Sequence, residues 1–75
     1  MDNLYYSVNI DSNRELCLSS LTDRLISLSG QELNDESGYF LYERRVRGDF
    51  VDVEVIAHVL SLEGAQRLRA AFNMK

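Results

Sequence analysis

The clearest pattern in the chain is an alternation of apolar and polar residues between positions 50 and 60. Successive side chains of a strand point to opposite faces of its sheet, so this alternation predicts a half-buried strand. We expect the strand to bury its apolar face and to expose its polar one. The apolar face carries Val51, Val53, Val55, Ala57 and Val59, and the other face carries Asp52, Glu54 and His58.

A second strand-like segment precedes this one, and the two meet at Gly48-Asp49. Glycine at the first central position of a two-residue loop predicts a type II′ hairpin turn. A slip by one residue would expose the valines, so we expect the register to be firmly held. The predicted opposite pairs are Val46 with Val51, Arg45 with Asp52, Arg44 with Val53, Tyr42 with Val55, Leu41 with Ile56, and Phe40 with Ala57.

The amino-terminal part of the chain begins with another alternating segment, from Leu4 to Ile10, which predicts the first strand. Two interpretations are open after the turn-forming residues 11–13. Either Glu15 to Ser19 is a second strand and a helix begins near Ser20, or a longer helix begins at residue 12 or 13 and runs to residue 29. We favour the hairpin, because the long helix would leave Leu16 opposite its apolar stripe.

The remaining elements complete a small domain. Residues 31–38 are mostly polar and predict a surface loop, and Ser61 is suited to cap a final helix that runs to about Asn73. We expect an α+β fold in the order ββαββα, with βαββα as the alternative. The sheet would be antiparallel with three or four strands, two helices would pack on one face, and residues 1–75 would form a single domain.

The charge balance bears on the kind of partner. Twelve acidic residues against eight basic ones give a net charge of −4. This balance disfavours nucleic acid as the main ligand and suits a protein partner with a basic surface. A single cysteine and the lack of a long apolar run predict a cytoplasmic protein with no membrane contact. The short chain also makes a homodimer a reasonable expectation.

The sequence offers little catalytic chemistry. It contains one histidine, His58, and one cysteine, Cys17. A lone histidine on a strand is most simply a surface residue, and a cysteine between two leucines is most simply a small buried hydrophobe. We therefore expect a protein that is not an enzyme and that holds no metal and no cofactor.

The most informative surface candidate is the run of tyrosines and arginines that leads into the hairpin turn. Tyrosine and arginine are enriched at the centres of protein interfaces, and aromatic rings beside arginines can also stack single-stranded bases. Carboxylates near the run would add contacts to a basic partner. The predicted protein-binding residues are Glu32, Asp35, Glu36, Tyr39, Tyr42, Arg44, Arg45, Arg47, Asp49, Asp52 and Glu54.

In size, acidity and lack of a catalytic motif the chain resembles small inhibitors from phages and mobile elements, anti-CRISPR proteins among them. No sequence motif carries this resemblance. It implies a non-enzymatic protein-binding module that inhibits a nucleic-acid-processing complex. The alternatives are a single-stranded nucleic-acid-binding module that uses the tyrosine and arginine hairpin, or an accessory or homodimeric subunit.

Overall fold

The computed structural model describes residues 4–21, 23–31 and 38–75. Four strands form one antiparallel sheet in the order β1-β2-β3-β4. The α+β class and the order ββαββα are confirmed, and the alternative with one long amino-terminal helix is wrong. The elements are β1 (Tyr5–Asp11), β2 (Arg14–Ser19), α1 (Asp23–Ser29), β3 (Tyr39–Arg47), β4 (Phe50–Val59) and α2 (Leu62–Ala71).

Leu16 is buried in the second strand, as the hairpin interpretation required and the long-helix interpretation did not. All four consecutive residues from Leu16 to Ser19 are buried. A strand covered on both faces carries a continuous apolar run of this kind. Leu16 and Leu18 point to one face of the sheet, and Cys17 points to the other.

The two helices pack on opposite faces of the sheet, which we call the α1 face and the α2 face. The prediction that both helices share one face is therefore wrong. The physical reason is that the central strands β2 and β3 are apolar on both faces, so each face needs its own cover. On the α2 face the buried residues are Leu16, Leu18, Leu41, Val59, Ala65 and Met74. On the α1 face Cys17, Phe40, Tyr42 and Val53 are buried under Leu21, Leu25 and Leu28.

The hairpin of β3 and β4 has the predicted register near its turn. Pairing proceeds without a shift from Arg47 with Phe50 to Tyr42 with Val55. Gly48 has a φ of 59°, which the first central position of a type II′ turn requires and glycine adopts at no steric cost.

Beyond Tyr42 a β-bulge breaks this register. Leu41 pairs with Ala57, so Ile56 is an extra residue on β4. The predicted pairs of Leu41 with Ile56 and of Phe40 with Ala57 are therefore wrong. Beyond the bulge, each residue of β4 therefore points to the opposite face of the sheet from the one that the predicted register gave it.

The exchange of faces moves the last residues of β4. Val59 joins the core under α2 instead of lying with Val53 on the α1 face. His58 lies opposite Phe40 on the α1 face and away from the strand's carboxylates, and the two rings stack with centroids 4.5 Å apart. One strand thus supplies valines to both cores.

Helix α2 begins as the sequence predicts. The hydroxyl of Ser61 accepts a hydrogen bond from the backbone N–H of Gly64 at 3.0 Å. The helix ends at Ala71, and Phe72 forms its carboxy-terminal cap. Within the described residues no helix is long and apolar enough to cross a membrane.

The burial of Leu18 gives a direct test of this architecture. Leu18→Ala should lower the free energy of unfolding by ~2–5 kcal/mol, because the surrounding core cannot fully close the cavity. Leu60→Ala is the matched control, since Leu60 is 85% exposed and its truncation should change stability by less than ~0.5 kcal/mol. Urea denaturation followed by circular dichroism measures both. Equal losses in the two variants would contradict this burial pattern.

Candidate protein-interaction site

The α2 face changes from apolar to charged toward the two hairpin turns. The change occurs at Glu43, which lies between Leu16 on β2 and Glu54 on β4. Helix α2 covers the apolar part, and ion pairs join the side chains of the other part. We call this second part the charged patch, which consists of Asp11, Arg14, Glu43, Arg45, Asp52 and Glu54.

Arg45 is the centre of the charged patch. Its Nη2 lies 3.0 Å from the Asp52 carboxylate, and its Nη1 lies 3.2 Å from Glu54 and 3.5 Å from Glu43. The guanidinium is largely covered, and its Nε is enclosed without a hydrogen-bond partner in the described part of the chain. One cation therefore holds three carboxylates from two strands in place.

Glu43 and Arg14 extend the network to the first hairpin. One oxygen of Glu43 faces Arg45, and the other lies 3.5 Å from Arg14 Nη1. Arg14 Nε also donates a hydrogen bond of 2.8 Å to Asp11. This hydrogen bond holds the pKa of the Asp11 carboxyl below its ordinary value, with help from the backbone N–H of Asn13. The ion pairs thus join all four strands, from Asp11 at the end of β1 to Asp52 and Glu54 on β4.

The charged patch is acidic and has an aromatic neighbour. Four carboxylates and two guanidinium groups leave it with a net charge of −2. Phe50 is paired with Arg47, which is the next pair toward the turn on the same face as Arg45 and Asp52. Phe50 is 76% exposed. Phe50 was not among the predicted site residues, although its spacing of two from Asp52 already placed it on the polar face of the strand.

The structure places the predicted aromatic contacts in the core. Tyr42 is only 2% exposed and Phe40 only 1%, and the Tyr42 hydroxyl lies 2.9 Å from Ser19 Oγ. Burial raises the pKa of Tyr42 above its ordinary value. Tyr39 is half-buried and packs against the core under α2. Phe40 and Tyr42 are therefore not available at the surface to contact a protein or to stack bases.

The other predicted residues fall into three groups. Arg45, Asp52 and Glu54 meet in the charged patch. Arg44 lies on the α1 face, where its Nη1 is 3.7 Å from Glu15. Arg47 and Asp49 are exposed at the turn, and Glu32, Asp35 and Glu36 lie outside the described residues.

Cys17 is a buried core residue, as the sequence suggested. Its side chain has no exposed surface, and burial raises the pKa of its thiol to about 11. The Tyr5 hydroxyl lies 3.7 Å from the sulfur, and burial together with this contact raises the pKa of Tyr5. Among the described residues, no three histidine, cysteine, aspartate or glutamate side chains are grouped to hold a metal ion.

Comparison of the chain with protein-family models, with curated proteins and with solved structures finds no match. Function must therefore be inferred from the geometry of the charged patch.

The central role of Arg45 can be tested by removing its charge. Arg45→Met should lower the free energy of unfolding by about 1–2 kcal/mol at low salt, because Glu43, Asp52 and Glu54 lose their shared cation. At ~1 M salt the loss should shrink, since charges are screened within about 3 Å. Arg47→Met is the matched control, because Arg47 makes no ion pair with any described residue. If Arg45→Met and Arg47→Met lowered the free energy of unfolding by the same amount, and salt did not change that amount, the central role of Arg45 would be contradicted.

The burial of Cys17 predicts that its thiol is alkylated slowly in the native protein. The pKa rises from 9.0 to about 11, so the thiolate fraction near pH ~8 falls ~100-fold. We expect native protein to react with iodoacetamide at least ~100-fold more slowly than the same chain in denaturing urea. Mass spectrometry of the alkylated protein measures both rates. Equal rates in the native and denatured chain would show that the thiol is accessible.

Proposed function

We propose that this protein is a non-enzymatic protein-binding module whose charged patch, together with Phe50, contacts a basic surface of another protein. The observation that carries the proposal is the charged patch itself, with a net charge of −2 and its carboxylates held on strands. Side chains that are already ordered lose less entropy on binding. The patch is thus prepared for a cationic partner before contact.

Phe50 supplies the second element of an interface. An aromatic side chain that is 76% exposed beside a charged network resembles the usual arrangement of an apolar anchor within a polar rim. Removal of this ring from water would stabilise the complex, while the surrounding charges would set its orientation and speed its formation. We therefore assign the anchor role to Phe50 in place of Tyr39 and Tyr42.

The partner that best fits an acidic module is a protein that handles nucleic acids. Such proteins expose lysine and arginine to bind phosphates, and an acidic surface can occupy the same groups. The net charge of −4 adds long-range attraction to such a surface. We propose that the protein acts as an inhibitor of a nucleic-acid-processing complex, of the phage and mobile-element type that includes anti-CRISPR proteins.

Site-specific photocrosslinking tests the proposal and identifies the partner in one experiment. Benzoylphenylalanine in place of Phe50 should give one or a few discrete adducts in lysate of the native host cell. The same group in place of Leu60 is the control, because Leu60 is also exposed but lies beyond the other end of β4. The absence of a discrete adduct at position 50, or identical adducts at both positions, would contradict the proposal.

Charge variants test the contribution of the carboxylates. The double variant Asp52→Asn, Glu54→Gln should weaken capture of the crosslinked partner at least ~10-fold near ~0.1 M salt, because long-range attraction to its cations is lost. Glu63→Gln on α2 is the control, since Glu63 pairs with Arg67 outside the charged patch. The inhibitor role further requires that the protein displace nucleic acid from the purified partner in a filter-binding assay, and that the double variant fail to do so.

A further inference from the structure

The ion pairs of Arg45 show that the two carboxylates of the charged patch on β4 fit one guanidinium group. Nη2 of Arg45 lies 3.0 Å from Asp52 Oδ2, and Nη1 lies 3.2 Å from Glu54 Oε1. Asp52 and Glu54 are two residues apart on the same face, in a part of β4 where the register is unbroken. Their spacing therefore matches the reach of the two terminal nitrogens of an arginine.

Arg45 leaves both carboxylates open to a second cation. The side chains of Asp52 and Glu54 are 41% and 57% exposed. Within the described part of the chain, neither carboxylate forms an ion pair with a residue other than Arg45. Glu43 shares the same cation, so one positive charge faces three negative ones. A cation supplied by a partner would offset part of this excess.

Phe50 offers an apolar surface at the end of the same row. It precedes Asp52 by two residues on the same face of β4, and it is 76% exposed. Successive residues on one face of a strand are about 7 Å apart, and the methylene stem of a long basic side chain can cover apolar surface of this extent. A stem that lies along Phe50 therefore places its charged group beside Asp52 and Glu54.

The two carboxylates distinguish arginine from lysine. A guanidinium donates from two terminal nitrogens in a fixed planar fork, whereas an ammonium is a compact and strongly hydrated point charge. Arg45 spans Asp52 and Glu54 with this fork. A second guanidinium can span the same two groups from their exposed side, and contacts between ionised donors and acceptors are the stronger kind of hydrogen bond. This surface therefore favours arginine.

A second copy of the chain is disfavoured as the source of this arginine. Each copy has a net charge of −4, so two copies repel each other. Arg47 is exposed and pairs with Phe50 across the hairpin, on the same face as the carboxylates. A copy that offered Arg47 would therefore bring its own carboxylates against this face.

We propose that Phe50, Asp52 and Glu54 form a docking site for one exposed arginine of a partner protein. The methylene stem of the arginine packs on the Phe50 ring, and its guanidinium pairs with both carboxylates on the side that Arg45 leaves open. This inference rests on the proposed protein-binding function and names the residue that the partner contributes.

A set of blocked pentapeptides, Gly-Gly-Xaa-Gly-Gly, tests the choice of side chain. With arginine at the central position, titration into ¹⁵N-labelled protein should shift the amide signals of Asp52 and Glu54 most. Lysine should bind at least ~3-fold more weakly, because it lacks the fork. Citrulline, which has the shape of arginine without its charge, should produce no saturable shift. Equal affinities of the arginine and lysine peptides, or equal shifts at Glu63 on α2, would overturn the proposal.

A methylated arginine tests whether the guanidinium spans both carboxylates. Asymmetric dimethylarginine keeps the positive charge but has no hydrogen on one terminal nitrogen. The dimethylated peptide should therefore bind at least ~3-fold more weakly than the arginine peptide. Unchanged affinity would show that charge alone holds the side chain, and the spanning contact would be wrong.

Chain variants separate the roles of the ring and the carboxylates. Phe50→Ser should weaken the arginine and lysine peptides alike, at least ~3-fold, because both share the methylene stem. Glu54→Met removes one end of the spanned pair and should abolish the preference for arginine over lysine. Glu63→Met is the control, since Glu63 pairs with Arg67 outside the charged patch. A preference for arginine that survives Glu54→Met would contradict the assigned contact.

The oligomeric state distinguishes a partner protein from a second copy. Sedimentation of the protein alone at ~1 mM should show a monomer, because the net charge of −4 opposes self-association. A dimer that Arg47→Met dissociates would show that a second copy supplies the arginine, and the assignment to a partner protein would be wrong.

The two proposals fail in different experiments. If crosslinks form at position 50 but the arginine and lysine peptides bind alike, the charged patch contacts a basic surface without selecting arginine, and this inference is wrong. If the arginine peptide binds as expected but no crosslink forms at position 50, the site accepts a guanidinium and the proposed function is wrong.

Discussion

The central strands β2 and β3 bury side chains on both of their faces, and the rest of the structure follows from this constraint. Consecutive residues such as Cys17 and Leu18 are fully buried although they point in opposite directions. A single layer of helices could cover only one of these directions. The chain therefore places one short helix on each face, and each helix covers only part of the sheet.

The charged patch occupies the part of the α2 face that α2 leaves open. Two directly opposite pairs within it carry like charges, Glu43 with Glu54 and Arg14 with Arg45. Further attractive contacts run along the diagonals and along the strand, so Arg45 reaches Glu54 and Glu43 as well as Asp52, its direct partner. Such a network is stable only as a whole, because the removal of one cation leaves several carboxylates facing each other.

Much of the fold could be predicted from local patterns. Gly48 and the alternation around it predicted the turn and the register near it, and the position of Leu16 predicted the first hairpin. The bulge at Ile56 could not be predicted, because one extra apolar residue within an apolar run leaves no sign in the alternation. For the same reason a continuous apolar run does not reveal which helix covers which face.

The candidate site was predicted in part. The predicted register placed Arg45 opposite Asp52, which the structure confirms, and the structure adds the contact of Arg45 with Glu54 on the same face. Tyr42 was expected at the surface, although its predicted pairing with Val55 already placed it on the buried side of the hairpin. Phe50 was overlooked because an apolar residue at the start of an apolar strand is ordinarily expected in the core. In both cases the register was correct, and the error lay in the interpretation of residue type.

The bulge at Ile56 also has a consequence for how the protein unfolds. It lets one continuous strand serve both cores, since Val53 packs under α1 and Val59 packs with α2. Neither core can loosen without disturbing the strand on which the other depends. The two small hydrophobic clusters therefore behave as one cooperative unit, and a disturbance at either face of β4 is felt on the opposite side of the sheet.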